Sequence, residues 1–114
     1  MTDIIIQGIY GRMGRALVEK IAARTDCRVV AGVDREAGRV GDIPVYASWQ
    51  DVACRGIVID FSSPAGAAAA AAWGAEHGVP CVICSTGLGS EELDILQKAA
   101  EKTAIFRSAN MSLG

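Results

Sequence analysis

The sequence contains little of what metal, nucleic-acid and membrane sites require. It has one histidine, His77, no cluster of basic residues, and a formal net charge of −2 over 114 residues. A metal site needs several ligands and a nucleic-acid site needs a basic surface, so we expect neither a bound metal nor a nucleic-acid partner. The most apolar run, residues 65–73, is too short to cross a bilayer, and Asp3 stands directly before the first predicted strand, where nothing resembles a signal peptide. The composition therefore favours a cytoplasmic protein without a membrane partner.

The cysteines are predicted to be buried thiols. Cys81 and Cys84 have the CxxC spacing of redox and zinc sites. However, their segment resembles a strand, in which residues three apart point to opposite faces. Zinc would also need further ligands, which the single histidine cannot supply.

The strongest pattern is residues 4–15, IIIQGIYGRMGR. A short β-branched run is followed by Gly8, Gly11 and Gly14, and then by a predicted helix over residues 16–23. This order is the phosphate-binding unit of dinucleotide folds. Gly8 permits the tight turn, Gly11 lets a diphosphate approach the backbone, and Gly14 lets the helix lie close to the strand. The helix N-terminus adds N–H groups and a partial positive charge. A glycine-rich loop without a ligand is the alternative.

The rest of the chain alternates strands with helices, and its apolar fraction of 51% suffices for the core of one domain over residues 1–114. Strands are predicted at 28–33, 44–46, 56–60, 79–84 and 104–106, helices at 49–52, 64–76 and 90–102, and a loop at 35–42. This alternation predicts an α/β fold of the Rossmann type, with a doubly wound parallel sheet in the order 3-2-1-4-5-6. Ligands of such sheets bind at the carboxyl ends of the strands, where the polar segments of this chain converge.

The end of the second strand bears on the choice of cofactor. Asp34 follows that strand, and a carboxylate there accepts hydrogen bonds from the ribose hydroxyls of NAD. It would repel the additional phosphate of NADP, which Arg35 could offset. We therefore expect NADH to bind at least as well as NADPH. The alternative is that Asp34 only caps a turn, just as Arg12 is either a solvated helix residue or a contact to phosphate or adenine.

Several motifs together resemble one family across the whole chain. They are GIYGRMGR, VDRE, IDFSSPAG, the STG loop and the closing SANMSLG. In this order and spacing the chain resembles dihydrodipicolinate reductase, an enzyme of lysine and diaminopimelate biosynthesis. The resemblance implies hydride transfer from NADH or NADPH to a small cyclic dicarboxylic imine. It also implies a homotetramer whose chains carry a second domain for catalysis and tetramerisation, absent from these 114 residues.

The resemblance also implies which residues contact the cofactor, whereas no catalytic residue and no metal ligand is assigned. The predicted contacts are Gly8, Ile9, Tyr10, Gly11, Arg12, Met13, Asp34, Arg35, Phe61, Cys84, Ser85, Thr86, Ser108, Ala109, Asn110 and Met111. Two departures stand out. Cys84 replaces a glycine of the family's Gly-Thr-Thr-Gly loop, and the family's segment with histidine and lysine has no counterpart here, since His77 does not match it.

The absent segment leads to two expectations for these residues alone. We expect a monomer or dimer rather than a tetramer, and cofactor binding without turnover, because Asp34 and Asp60 should be ionised and Thr86, the one candidate for touching the substrate, is a weak acid. The alternatives are the first domain of another dehydrogenase of amino-acid metabolism, such as aspartate or homoserine dehydrogenase, and a stand-alone NAD-binding or redox-sensing module.

Overall fold

The computed structural model describes residues 1–108, which form one seven-stranded sheet flanked by helices. The strands are β1 (Thr2–Gln7), β2 (Cys27–Val33), β3 (Gly38–Val40), β4 (Ile43–Tyr46), β5 (Ile57–Asp60), β6 (Cys81–Ile83) and β7 (Ile105–Arg107). The helices are α1 (Arg12–Ala22), α2 (Pro64–His77) and α3 (Ser90–Ala99), and a short 3₁₀-helix covers Trp49–Asp51.

The strand order confirms the predicted topology. It is β3-β4-β2-β1-β5-β6-β7, and every pair is parallel except β3 with β4. The six predicted strands occupy the predicted positions, so the fold is a doubly wound α/β sheet. The order reverses between β1 and β5, where this architecture places its ligands.

One predicted loop was wrong. Residues 35–42 contain β3, which forms a hairpin with β4 through Gly41, where φ is +60°. Val40 pairs with Ile43 and packs on the core, while Gly38 and Arg39 are exposed. A three-residue edge strand with one apolar side chain has too little alternation to be recognised in the sequence.

Three helix boundaries also differ from the prediction. The first helix begins at Arg12 rather than at residue 16, so Gly14 lies inside its first turn. The segment after Ser48 is a 3₁₀-helix, and α3 ends at Ala99. The early start of α1 was missed because Gly14 is unfavourable inside a helix. The other two differences lie at short or fraying helix ends, which composition does not reveal.

The alanine-rich α2 lies close against one face of the sheet. Ala67, Ala70 and Ala71 are fully buried there. A Cβ at Gly74 would collide with the Cys81 sulfur, so glycine is needed at this crossing. The small residues therefore allow the helix to approach β6, as the sequence predicts.

The opposite face is covered by α1 only in part. Ile6, Ile59, Val82 and Phe106 are paired in register across β1, β5, β6 and β7. Ile6 is fully buried beneath the α1 side, whereas Phe106 is 58% exposed. Within residues 1–108, this face has no helix over Phe106.

Candidate functional site

The glycine turn between β1 and α1 is built by close approaches of the backbone. Gly8 has φ +82°, and a Cβ there would lie 3.0 Å from the carbonyl carbon and oxygen of Phe61. A Cβ at Gly14 would lie 2.5 Å from the carbonyl oxygen of Gly8 and 2.7 Å from the Cα of Ile9. Gly8 therefore provides the tight turn, and Gly14 lets α1 lie directly on that turn.

The N-terminus of α1 faces this turn without a side-chain cap. Gly11 is the N-cap residue, with extended backbone angles, and its N–H donates to the Gly8 carbonyl at 3.1 Å. The first N–H groups of a helix have no partner within the helix, and they attract anions. This end of α1 therefore has the chemistry of a phosphate site.

Asp34 ties the end of β2 to the glycine turn. Its Oδ2 accepts a hydrogen bond from the Tyr10 N–H at 2.9 Å, and its Oδ1 accepts one from the Arg35 N–H at 2.8 Å. The turn-capping alternative is thus part of its role. A carboxylate oxygen has a further lone pair, so both oxygens can still accept a hydroxyl.

A cleft of about 930 Å³ opens between the turn and the ends of β2, β4 and β5. It is lined by six of the predicted residues: Gly8, Tyr10, Gly11, Asp34, Arg35 and Phe61. This volume is in the range of ligand sites, which are concave and largely preformed. The cleft lies beside the point at which the strand order reverses.

The cleft also contains residues that sequence reasoning missed. Gln7 ends β1, and its Oε1 accepts a hydrogen bond from Trp49 Nε1 at 3.0 Å in a buried pair. Glu36 and Ser62 line the cleft as well. Gln7 could have been recognised in the sequence as the polar end of an apolar strand. The placement of Trp49 in the cleft depends on the path of the 3₁₀-helix, which the sequence does not indicate.

A second part of the site lies at the ends of β5, β6 and β7. Asp60 is fully buried and accepts hydrogen bonds from the hydroxyls of Ser62 and Ser85, each at 2.5 Å. Burial raises the pKa of Asp60, and the serine hydrogen bonds oppose that shift. The Asp60 carboxyl group is enclosed by these two serines and does not line the cleft, and its predicted ionisation stays a prediction.

Cys84, Ser85 and Ser108 lie at this edge but outside the lining of the cleft. The Cys84 N–H donates to the Asp60 carbonyl and the Ser108 N–H to the Ile83 carbonyl, both at 2.9 Å. Burial and, to a smaller extent, Asp60 raise the pKa of the half-buried Cys84 thiol. Thr86 is exposed.

The remaining predicted residues divide by position. The Ile9 side chain is fully buried, so only its backbone is left for a ligand, while Arg12 and Met13 are exposed in the first turn of α1. Ala109, Asn110 and Met111 lie outside the described residues. His77 ends α2 just before β6 begins, at the amino ends of the strands and thus away from the cleft. Its ring stacks on that of Trp73, with 4.3 Å between the ring centroids.

The cysteines remain thiols, of which only Cys81 is fully buried, so the burial predicted for the others is partial. Over residues 1–108, no group of histidine, cysteine and acidic side chains is arranged to hold a metal ion. In the same range, no helix is long and apolar enough to span a membrane.

The turn, the acidic residue after β2 and the cleft at the strand-order reversal are the features of a Rossmann-type dinucleotide-binding fold. More specifically, the chain belongs to the dihydrodipicolinate reductase family, since the model of that family's N-terminal region matches residues 2–111. This family assignment decides against the aspartate and homoserine dehydrogenase alternatives.

Individual relatives agree with the family model. The chain is 34% identical to 4-hydroxy-tetrahydrodipicolinate reductase of Clostridium tetani over 100% of its length, and 41% identical to that of Caulobacter vibrioides over 97%. It spans only 45% and 43% of those proteins, about half their length. Among solved structures, dipicolinate-bound dihydrodipicolinate reductase from Paenisporosarcina sp. TG-14 is similar in fold. Its TM-score is 0.82 at 20% identity, over 99% of this chain and 49% of that one.

Proposed function

We propose that this chain is the cofactor-binding domain of a dihydrodipicolinate reductase of lysine and diaminopimelate biosynthesis. In this proposal it holds NADH or NADPH while a cyclic dicarboxylic imine is reduced. The observation that carries the proposal is the glycine turn. Neighbouring backbone atoms lie so close to Gly8 and Gly14 that only glycine fits, and Asp34, which follows β2, accepts a hydrogen bond from the turn at the Tyr10 N–H. These features leave the N-terminus of α1 and the neighbouring cleft for the dinucleotide.

The adenosine half fits the cleft beside β2. The diphosphate would accept hydrogen bonds from the first turn of α1, and Asp34 would accept them from the ribose hydroxyls. Tyr10 and Arg35 would flank the adenine side. A Cβ at Gly38 would lie 2.6 Å from the Tyr10 hydroxyl, so the β3–β4 hairpin closes on Tyr10 because glycine is present there.

The nicotinamide half would extend towards the ends of β6 and β7. Cys84, Ser85, Thr86 and Ser108 lie there, next to β5. When bound, the reduced nicotinamide supplies the hydride for the C=N bond. Thr86, which is exposed, is the candidate for contact with substrate. The dipicolinate carried by the Paenisporosarcina structure supports a dicarboxylate substrate.

The proton for the imine nitrogen has no donor at this site in residues 1–108. The carboxyl of Asp60 is enclosed by Ser62 and Ser85, the carboxyl of Asp34 is held by two backbone N–H groups, and hydroxyls such as that of Thr86 are weak acids. General acid catalysis contributes about 10²–10⁴-fold. We therefore propose that these residues bind cofactor without turning over substrate, and that a further domain supplies catalysis and tetramer contacts.

Gly11→Ala tests the proposal with a small local adjustment of the fold. Gly11 has φ −74°, which alanine adopts freely, and its Cβ would contact only the Gly8 carbonyl oxygen, at 3.3 Å. The added methyl would lie where the diphosphate has to approach. We expect Gly11→Ala to bind NADH at least about tenfold more weakly in calorimetry, since blocking one charge-assisted phosphate contact costs about 1.5–3 kcal/mol.

Gly89→Ala is the matched control. Gly89 is also the N-cap of a helix with extended backbone, and its Cβ would meet only the flexible Glu92 carboxylate at 3.1 Å. It should bind NADH like the parent chain. Equal NADH affinity of the parent and Gly11→Ala would contradict a diphosphate at α1.

A further inference from the structure

Asp60 joins two loops that belong to different halves of the site. It is the last residue of β5, and its Oδ1 accepts hydrogen bonds from the Ser62 N–H at 3.1 Å and the Ser62 hydroxyl at 2.5 Å. Its Oδ2 accepts one from the Ser85 hydroxyl at 2.5 Å, across 25 residues of sequence. The Asp60 carbonyl also accepts the Cys84 N–H at 2.9 Å. One residue thus holds both the loop after β5 and the loop after β6.

The packing around Ser62 shows that this arrangement is built into the fold. The Ser62 hydroxyl occupies the space that a Cβ at Gly66 would fill, and such a Cβ would also lie 2.7 Å from Gln7 Nε2. Because α2 has glycine in its first turn, Ser62 can point towards Asp60. Ser85 is buried, and its hydroxyl donates a hydrogen bond to the Asp60 carboxyl.

The two loops differ in their relation to the cleft. Phe61, Ser62 and Ser63 line it, whereas Ser85 does not. We propose that Asp60 is a positioning residue that holds the Ser85 loop against the wall of the cleft. The loop is then placed to bind the nicotinamide half of a dinucleotide while the cleft binds its adenosine half. Asp60 contacts neither half itself. This inference rests on the proposed function, because it needs a dinucleotide that spans both loops.

The experiment compares two ligands, NADH and ADP-ribose, which share the adenosine half and differ in the nicotinamide. Ser85→Ala removes the hydroxyl that links the Ser85 loop to Asp60. We expect it to weaken NADH binding up to about tenfold, the equivalent of one hydrogen bond, and to leave ADP-ribose binding unchanged. Ser85→Thr retains the hydroxyl and should restore NADH binding. A residue with a purely structural role would change both ligands together.

Ile83→Val is the control for general loss of stability, because Ile83 is a buried residue at the end of β6, just before the Ser85 loop, and the change removes one methylene. It should leave the ratio of the two affinities unchanged. Ser62→Ala removes the other hydroxyl that donates to Asp60 and is not a predicted nicotinamide contact, so it should weaken NADH binding selectively in the same way. A selective loss in Ser85→Ala alone would indicate a direct contact of Ser85 with the nicotinamide and would overturn the role of Asp60.

The outcomes separate the two proposals. Failure of the parent chain to bind either ligand would overturn the proposed function. Binding of both ligands by the parent, with equal losses or no losses in Ser85→Ala and Ser62→Ala, would overturn the role of Asp60 alone.

Discussion

Asp34 shows how much one residue can reveal before the fold is known. Its position after a predicted strand indicated a ribose contact, and the structure places it beside the glycine turn in the same cleft. Its hydrogen bond to the Tyr10 N–H was not predictable, because it depends on how the turn folds back over β2. The carboxylate thus has a structural role in addition to the proposed one.

Substitution of Asp34 tests the proposed ribose contact. Asp34→Ala should weaken the binding of NADH by about 1–3 kcal/mol, since the ribose hydroxyls lose their acceptor. Asp34→Asn retains one acceptor oxygen, so it should weaken NADH less. Calorimetry with both variants provides the comparison, and unchanged NADH affinity in Asp34→Ala would refute the ribose contact.

Asp60 should make stability depend on pH in an unusual direction. Burial raises its pKa in the folded chain, so between the unfolded value of about 3.9 and the higher folded value the native state binds more protons. Stability from this group is therefore present below the unfolded pKa and is lost as pH rises through the folded pKa. Burial and, to a smaller extent, Asp60 raise the pKa of the Cys81 and Cys84 thiols.

The measurement is urea unfolding of the parent chain and Asp60→Asn between about pH 4 and pH 7. We expect the stability of the parent, relative to Asp60→Asn, to decline as pH rises. Subtraction removes the opposite contributions of Asp3 and Asp26, whose pKa values are lowered by Arg28 and Arg24. A relative stability that rises with pH would contradict a raised pKa.

At the scale of elements, the sequence predicted what depends on long patterns. The β-branched start of β1, the alternation of strands and helices, and the glycine spacing together predicted the sheet order, which the structure confirms. The missed element, β3, has three residues and depends on pairing with β4. Gln7 and Trp49 come together across 42 residues of sequence, a contact that no local pattern contains. Elements were thus predictable, whereas side-chain pairs between them were not.

At the scale of the whole molecule, the apolar row on the α1 face of the sheet is accessible at one end within residues 1–108. Phe106 is 58% exposed at the end of a row that begins at the buried Ile6. Exposed apolar patches promote association. The chain spans about half the length of its relatives, and we propose that this face is among the surfaces that the rest of such a protein would cover.

We therefore expect residues 1–114 to be monomeric, or dimeric through this face, and not to form a stable tetramer. Phe106→Lys should shift any dimer towards monomer, because it places a charge in the apolar row. Light scattering over a concentration series measures this, with Lys102→Ala as a control at an exposed position outside that row. A stable tetramer that survives Phe106→Lys would contradict the prediction.

The proposed function requires this chain to bind a nicotinamide dinucleotide across the carboxyl ends of its strands. Calorimetric titration of the parent chain with NADH and, separately, with NADPH tests it directly. Because Asp34 and Arg35 are adjacent at the ribose position, we expect both cofactors to bind, with NADH at least as tight as NADPH. Binding of NADPH alone would contradict the role of Asp34, and the absence of binding by both cofactors would contradict the account as a whole.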